Sequence, residues 1–374
     1  MKKMNLRLVG VLASLALMQP LLATADVLST QNVGAGTITG LSAAGTVAVG
    51  EASRTDEAFR WSAETGTVKL GRATEPKLGQ RSVVPAMSGD GRVVGATIVS
   101  DDGKSATAGR RAAETGWQML RPLPADAGLL DREDSLVWTM SRDGQVLAGL
   151  YWRPGTTGGL AHGMAWSAGG GMLDMGSSGA SSRINGANVD GIVLVGWDEL
   201  PTGGNRRATV WADGKMSLLE ISDCTSEAFA VNGTGTVIIG CTADPANDFK
   251  TSATKWTKTA SGWSKQILGV LSKDRKRGAA YPTGLSEDGS VVVGLGRLDS
   301  GSPASCGFCW SEATGFVDAA AYMAANGLPV TPELKVTSLG AISADGRVMA
   351  AMVQNGKTGA LNGVLVRRGP GPAR

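Results

Sequence analysis

The hydrophobic and polar positions of this chain follow one pattern that recurs seven times. Each copy begins with a tight polar turn, continues into a short apolar run and ends with a small residue five positions after the turn glycine, as from Ser286 to Gly294. The turn glycines are Gly45, Gly91, Gly144, Gly191, Gly235, Gly289 and Gly346. Neighbouring turn glycines lie 44 to 57 residues apart, a period typical of propeller blades and solenoid units.

A second element follows each apolar run after a loop of variable length. It contains a tryptophan in five copies, and in the second and seventh copies Arg111 and Leu365 take its place. The tryptophans are Trp61, Trp166, Trp211, Trp256 and Trp310. Apolar runs bounded by turn residues predict strands that are covered on both faces. With a strand before the turn and a short closing piece such as residues 68–71, each copy is predicted to hold about four strands.

Four strands repeated around a ring form a β-propeller. The small residues suit the narrow inner part of the wedge between two blades, and the tryptophans suit its wider outer part. A parallel β-helix is the alternative, but its coils are usually shorter. We therefore predict an all-β, seven-bladed β-propeller of four-stranded blades.

The ring has to close, and the seventh copy ends one strand short, after residues 363–368. We predict that the N-terminal segment around Val27 and Leu28 supplies the outer strand of the last blade, because this removes an exposed strand edge. The nearby Gly34-Ala35-Gly36 lacks the context of a phosphate-binding loop and is interpreted as loop.

One spacer predicts a short helix. Residues 319–325 are rich in alanine, Asp318 precedes them, and Gly327 and Pro329 follow. An aspartate cap, a glycine past the end and a proline beyond it are helix start and stop signals. We expect this helix outside the ring, between the sixth and seventh copies.

Residues 1–25 have the features of a secretion signal. Three basic residues precede the mostly apolar stretch from Leu8 to Leu22, and small residues before Asp26 offer a cleavage site. We predict a single propeller domain over residues 26–374, exported to the periplasm or out of the cell. No later run approaches the roughly twenty apolar residues of a membrane span, and a net charge of +3 is too small to indicate nucleic-acid binding.

The four cysteines of an exported chain predict two disulfides. A hairpin folded about residues 232–234 places Cys224 opposite Cys241, which leaves Cys306 and Cys309 to pair with each other. A redox-active Cys-x-x-Cys motif is the alternative for the second pair, but such a motif needs a helix N-terminus to lower the thiol pKa.

The only histidine, His162, restricts the catalytic chemistry that the chain can offer. A serine–histidine–acid triad or a histidine-rich zinc site would have to be built around it alone. It begins the tryptophan strand of the third copy, and we interpret it as a strand histidine that makes a hydrogen bond. We predict no catalytic residue, no metal site and no cofactor.

Loops between second and third strands share one rim of a propeller with the loops that join blades, and these are the long, variable loops here. Aromatic, basic and acidic residues border them on the third and fourth copies, a combination that suits sugars or a partner protein. The candidate ligand-binding residues are Trp152, Arg153, Trp197, Asp198, Arg206 and Arg207. The alternative is that these tryptophans fold back and cover the blade ends. Asp131, Glu133 and Asp134 share one loop between blades and could act in catalysis only if the fold brought a second group near them.

The repeats resemble those of the bacterial extracellular HAF-repeat family. Residues 162–166, His-Gly-Met-Ala-Trp, and residues 57–61, Glu-Ala-Phe-Arg-Trp, are the nearest matches to the His-Ala-Phe-x-Trp element. The resemblance covers nearly the whole predicted domain. It implies an exported repeat protein, and its relatives include exported proteins of unknown role.

Two functions remain open at this point. The first is a non-catalytic binding or adhesion module that takes a carbohydrate or a cell-surface or protein partner on its loop rim. The second is a polysaccharide hydrolase or lyase, which would need two converging carboxylates. Full-length repetition without such a pair favours the binding module.

Overall fold

A computed structural model describes residues 28–369 apart from 53–56, 72–80, 100–105, 113–114, 121–134, 154–159, 202–203, 221–223, 273, 275–276, 300–303, 329 and 332. The predicted secretion signal and the acidic residues Asp131, Glu133 and Asp134 lie outside the described residues.

The described residues form seven blades of antiparallel strands, which confirms the predicted seven-bladed β-propeller. The first blades comprise β1 (Leu28–Leu41), β2 (Val47–Ala52), β3 (Glu57–Ser62) and β4 (Gly66–Lys69); β5 (Arg81–Met87), β6 (Val93–Val99), β7 (Ala106–Ala112) and β8 (Gly116–Met119); and β9 (Ser135–Met140), β10 (Val146–Arg153), β11 (Leu160–Ser167) and β12 (Gly171–Asp174).

The next blades comprise β13 (Ser182–Ala187), β14 (Leu194–Glu199), β15 (Arg206–Ala212) and β16 (Lys215–Leu218); β17 (Ser226–Val231), β18 (Val237–Asp244), β19 (Lys250–Thr259) and β20 (Gly262–Gly269); and β21 (Ala279–Leu285), β22 (Val291–Arg297), β23 (Cys306–Ser311) and β24 (Gly315–Asp318). The last blade contains β25 (Leu334–Ile342), β26 (Val348–Asn355) and β27 (Leu361–Arg368).

The polar turn joins the first and second strands of every blade. All seven turn glycines have φ between 65° and 74°, a left-handed conformation that glycine adopts without steric cost. Three residues earlier, a serine or asparagine side chain accepts the backbone N–H five residues further on, at 2.9–3.0 Å in all seven blades. The turn therefore fixes its own hairpin.

The seven turns are also joined to one another in a closed ring. The residue two before the turn glycine donates its N–H to the equivalent carbonyl of the next blade at five junctions, for example Ala43 to Gly89 at 2.8 Å. The same bond from Ala344 to Ala43, at 2.9 Å, links the last blade to the first. At the other two junctions the donors are the Asp143 N–H and the Asn232 amide.

The first strand of each blade carries a β-bulge six residues before the turn glycine. Bulged side chains reach the first strand of the next blade, as Thr39 does by donating to the Pro85 carbonyl at 2.6 Å. Gly50 on β2 lies under this bulge, and a Cβ there would overlap the Thr37 carbonyl oxygen. The close approach of the bulged strand thus explains the small residue that ends each apolar run.

The N-terminal strand closes the ring, as predicted. Residues 28–35 of β1 pair with β27, and residues 36–41 pair with β2, so β1 belongs to the last blade and to the first. The change of partner occurs at Gly34 and Gly36, with φ of 114° and 149°. These glycines lie within a strand and not in a loop, contrary to the sequence interpretation.

The core consists of side chains packed between blades. The tryptophans of the third strands are all buried there, and Trp256 is fully buried. The predicted helix is present as α1 (Ala319–Ala325). Asp318 caps it by accepting the Ala321 N–H at 3.0 Å, and Met323 packs against the cluster around Leu339 of the last blade.

The disulfide prediction is wrong in this structure, where none of the four cysteines forms a disulfide. Val231 pairs with Ile238, so the hairpin is centred further along the chain than residues 232–234 would place it, and Cys241 lies opposite Glu227 and not opposite Cys224. Cys306 and Cys309 are three residues apart on the extended strand β23, which separates their Cα atoms by about 10 Å, beyond disulfide reach. Burial raises the pKa of these two thiols to about 11 and about 12, respectively.

Candidate functional site

The candidate residues occupy the loop ends of β10, β14 and β15, on neighbouring blades 3 and 4. Trp152 is 42% exposed on β10, and Arg153 follows it at the strand end. Trp197 is only 4% exposed. The structure therefore leaves the Trp152 indole available at the surface and places Trp197 inside, between blades.

On one face of blade 4, two arginines lie over tryptophan rings. The guanidinium carbon of Arg206 is 4.4 Å from the Trp197 ring centroid. Arg183, on the first strand of the same blade, lies 5.4 Å from the Trp197 centroid and 4.1 Å from that of Trp138. Trp138 occupies the bulge of blade 3, which explains its reach towards the next blade. Cation–π contacts of this kind hold a guanidinium against an aromatic face.

One carboxylate holds both arginines. Glu227, on the first strand of blade 5, accepts from Arg183 at 2.5 Å and from Arg206 at 3.2 Å. Asn185 also donates to Glu227, at 2.8 Å, and accepts the Arg183 Nε–H at 2.7 Å. We call Trp138, Arg183, Trp197, Arg206 and Glu227 the Arg–Trp cluster.

The Arg–Trp cluster carries more positive than negative charge, because its two guanidinium groups share a single carboxylate. Burial lowers the pKa of Arg183, Glu227 opposes this shift, and the nearby Arg206 charge adds to it. The Nε1–H groups of Trp138 and Trp197 are buried and have no acceptor within the described part of the chain. Donors therefore outnumber acceptors here.

The opposite face of blade 4 holds the other two candidate residues in a closed network. Asp198 is fully buried; it accepts from Arg207 at 3.0 Å, from the Ser177 hydroxyl at 2.7 Å and from the backbone N–H and hydroxyl of Ser178. Arg207 also donates to the Ser178 hydroxyl. This arrangement fixes the loop between blades 3 and 4, and its carboxylate is already engaged by protein donors.

His162 makes the strand hydrogen bond that the sequence indicated. Its Nδ1 lies 2.9 Å from Asp174, which also accepts from the Tyr151 hydroxyl at 2.7 Å and from the Gly176 N–H at 2.7 Å. Burial raises the pKa of Asp174, but the hydrogen bonds from His162, Tyr151 and Gly176 outweigh it and bring the pKa to about 2. Three strands of blade 3 are thereby joined around one carboxylate.

Replacing Asp174 with asparagine is expected to destabilise the fold by roughly 1 kcal/mol at neutral pH, since the partly exposed carboxylate is screened by solvent. The depressed pKa means that the ionised group stabilises the fold above its unfolded pKa of about 3.9. That stabilisation is lost as the pH falls towards about 2. Denaturant unfolding of the wild type and Asp174→Asn should therefore differ at pH 7 and converge at pH 2.

The matched control is Asp213→Asn, an exposed turn aspartate with a left-handed backbone that asparagine tolerates. A stability difference between the wild type and Asp174→Asn that persists unchanged at pH 2 would contradict the assigned role of the carboxylate.

The end of the central channel at the turns is bridged by an ion pair. Arg142 on blade 3 donates to Glu287 on blade 6, and the pair therefore spans the ring. Both residues stand two before a turn glycine, where the other five blades have Ala43, Gly89, Val189, Gly233 and Ala344. A Cβ on Gly233 would contact the Glu287 carboxylate, so Glu287 lies over the turn of blade 5.

The candidate list from the sequence missed Arg183 and Glu227, although the repeat contains a signal for them. Both stand eight residues before their turn glycines, on adjacent blades. The other blades have the uncharged Thr37, Val83, Leu136, Tyr281 and Ser338 there. A single basic and a single acidic residue at one repeat position of neighbouring blades indicates an ion pair between the blades.

Across the described residues, no group of three or more histidine, cysteine, aspartate or glutamate side chains is placed to hold a metal ion. In the same part of the chain, no helix is both long and apolar enough for a membrane crossing.

No protein-family model and no curated protein matches the chain. Similar solved structures include an oligogalacturonate lyase in complex with manganese, at 12% identity over 92% of this chain and 96% of that chain, with a TM-score of 0.55. The β-propeller domain of the Trilobed protease from Pyrococcus furiosus is 9% identical over 91% and 99%, with a TM-score of 0.54. Hydrazine synthase from Kuenenia stuttgartiensis is 12% identical over 90% and 96%, with a TM-score of 0.51. At these identities the likeness shows the fold alone.

Proposed function

We propose that this chain is an exported, non-catalytic binding propeller that takes a carbohydrate on the loop rim of blades 3 to 5. The observation that carries the proposal is the Arg–Trp cluster on the same rim as the exposed Trp152. The exposed indole face of Trp152 and the surplus donors of the cluster suit a polar ring with many acceptor oxygens.

Two acidic residues of this rim, Glu227 and Asp198, are engaged in a way that supports binding more than catalysis. A glycoside hydrolase needs two carboxylates on opposite sides of the scissile bond, with one free to donate a proton. In the Arg–Trp cluster, Glu227 is engaged by Arg183, Arg206 and Asn185. Asp198 is likewise engaged on the far face of blade 4. Export and the HAF-repeat resemblance belong to the same proposal and agree with a module that works outside the cytoplasm.

A glycan and polysaccharide binding screen tests this function, with reducing-end release followed in the same wells. We expect binding without release of product. Trp152→Ala should weaken that binding about tenfold or more, because aromatic side chains that become buried in a complex dominate its binding energy. Leu173→Ala is the matched control, since Leu173 is a similarly exposed apolar residue (50%) on the outer strand of blade 3.

Release of reducing ends would replace the binding module with an enzyme acting on polysaccharide. If Trp152→Ala leaves the binding affinity unchanged, the ligand does not bind at this rim. If no glycan binds, the carbohydrate is wrong and a protein partner, sought by pull-down, becomes the better proposal.

A further inference from the structure

The two arginines of the Arg–Trp cluster use few of their donors. A guanidinium offers five N–H donors in its own plane. Arg206 donates to Glu227 alone, and Arg183 donates to Glu227 and Asn185, within the described residues. The guanidinium groups lie over Trp197 and Trp138, and their remaining N–H groups have no acceptor among the described residues.

The two guanidinium groups differ in access to solvent. The Arg206 side chain is 42% exposed, whereas the Arg183 side chain is 16% exposed and that of Glu227 is 12% exposed. Arg206 is thus the accessible edge of a largely buried, donor-rich cluster. Glu199 is its cross-strand partner but makes no ion pair within the described part of the chain, so Glu227 is the only carboxylate among the described residues that forms an ion pair with the cluster.

A second carboxylate would complete this arrangement. It would balance the uncompensated positive charge and accept the in-plane N–H groups of Arg206, since guanidinium and carboxylate match in a two-bond geometry. A neutral hydroxyl group would leave the charge uncompensated. The preorganised guanidinium also loses little side-chain freedom on binding, because Trp197 and Glu227 already hold it.

We propose that the Arg–Trp cluster is a subsite for the carboxylate of an acidic sugar, a uronic acid residue, with Arg206 as the residue that contacts it. The inference rests on the proposed carbohydrate-binding function and specifies its ligand class. Trp152, on the same rim of the adjacent blade, offers an apolar face to a neighbouring sugar ring. Arg183 and Trp197 position Arg206, and Glu227 orients both guanidinium groups.

The experiment compares trigalacturonate with its full methyl ester, which keeps the rings and removes the charge. Binding to the mature protein is measured by isothermal titration calorimetry at low and at physiological salt. We expect the acid to bind about tenfold or more tightly than the ester, the range of a charge-assisted hydrogen bond. The difference should shrink as salt screens the exposed Arg206.

Arg206→Gln should abolish the preference for the acid, because it removes the charge that distinguishes the two ligands. Arg206→Lys should restore part of it, because lysine keeps the charge but loses the planar fork. The control is Arg92→Gln, since the Arg92 side chain is 82% exposed on the turn of blade 2, at the opposite rim. Melting curves confirm folding, and the double variant Arg183→Gln/Glu227→Gln tests the buried half and leaves only the partly exposed Arg206 charged.

Equal affinity for acid and ester, or a preference that survives Arg206→Gln, overturns the subsite. If Trp152→Ala still abolishes binding in that case, the proposed function stands and only the carboxylate assignment fails. Binding of neutral glycans while both trigalacturonate forms fail to bind also overturns it. Binding of a peptide C-terminal carboxylate in place of trigalacturonate overturns the acidic-sugar class.

Discussion

Deletion of residues 28–33 is expected to lower the melting temperature by more than about 10 °C, because the removed contacts approach the whole stability of a domain. Leu28 and Val33 are buried at 4% and 2% exposure, and burying each such side chain contributes about 1.5–3 kcal/mol. The lost ladder with β27 adds about 1 kcal/mol for each backbone hydrogen bond. The deletion would also expose β27 as an open strand edge.

Differential scanning calorimetry measures this effect. Val33→Ala removes the buried part of one side chain and should have a smaller effect. We expect it to lower the free energy of unfolding by about 1–3 kcal/mol. Thr30→Ala is the control, because Thr30 lies on the same strand and is exposed. An unchanged melting curve after the deletion would mean that the last blade does not depend on β1.

Gly50→Ala is expected to destabilise the protein by more than about 3 kcal/mol, at the upper end of overpacking effects. The added Cβ would overlap the Thr37 carbonyl oxygen and lie 2.7 Å from the Phe59 Cζ. A backbone oxygen cannot move away as the tip of a flexible side chain can, so the bulge of the first strand has to shift. Denaturant unfolding measures the change, and blade 1 lies away from the Arg–Trp cluster.

Two variants provide controls for the effect of Gly50→Ala. Gly169→Ala adds the same methyl group where no atom lies within 4 Å, and it should be nearly neutral. Ala96→Gly, at the equivalent position of blade 2, should cost only about 0.5–1 kcal/mol through backbone entropy. A Gly50→Ala protein as stable as Gly169→Ala would show that the bulge yields freely and that glycine is not required there.

The repeat predicted the propeller well because each of its features has a local cause. The turn glycine adopts the left-handed conformation of the turn, and the serine or asparagine before it caps the turn with its side chain. The small residue after it leaves room for the close approach of the bulged strand. Such causes act within one hairpin, and the sequence therefore displays them seven times. The strand that closes the ring followed from counting strands.

Neither the centre of a hairpin nor the position of a bulge was predictable, and the disulfide prediction failed because of the first. A hairpin folded about residues 232–234 places Cys224 opposite Cys241, but Val231 pairs with Ile238, which centres the hairpin further along the chain and brings Glu227 opposite Cys241. The bulges of blades 3 and 4 turn Trp138 and Asn185 towards the following blade. A one-residue irregularity has little effect on hydrophobic periodicity, yet it decides which side chains meet.

The candidate site was predicted only in outline, because the sequence does not say which way a strand-end residue faces. Trp197 and Asp198 are adjacent in sequence, and both border a rim loop, but they point to opposite faces of blade 4. Each is buried by its own set of partners. Arg183 and Glu227 reach the site from other strands, and only a comparison of equivalent positions across blades could have linked them.

The pairing of Leu28 with Arg368 places the two ends of the described fold next to each other. A segment attached to either end would therefore extend from the same place on the propeller. Arg368 donates its N–H to the Arg347 carbonyl, and Arg367 donates to the Gly45 carbonyl, so both ends of the described fold lie at the rim formed by the tight turns. The Arg–Trp cluster lies at the other rim, on the opposite half of the ring. A tether joined to either end would therefore attach the protein at the rim of the tight turns. The loops of blades 3 to 5, at the other rim, would then face the medium.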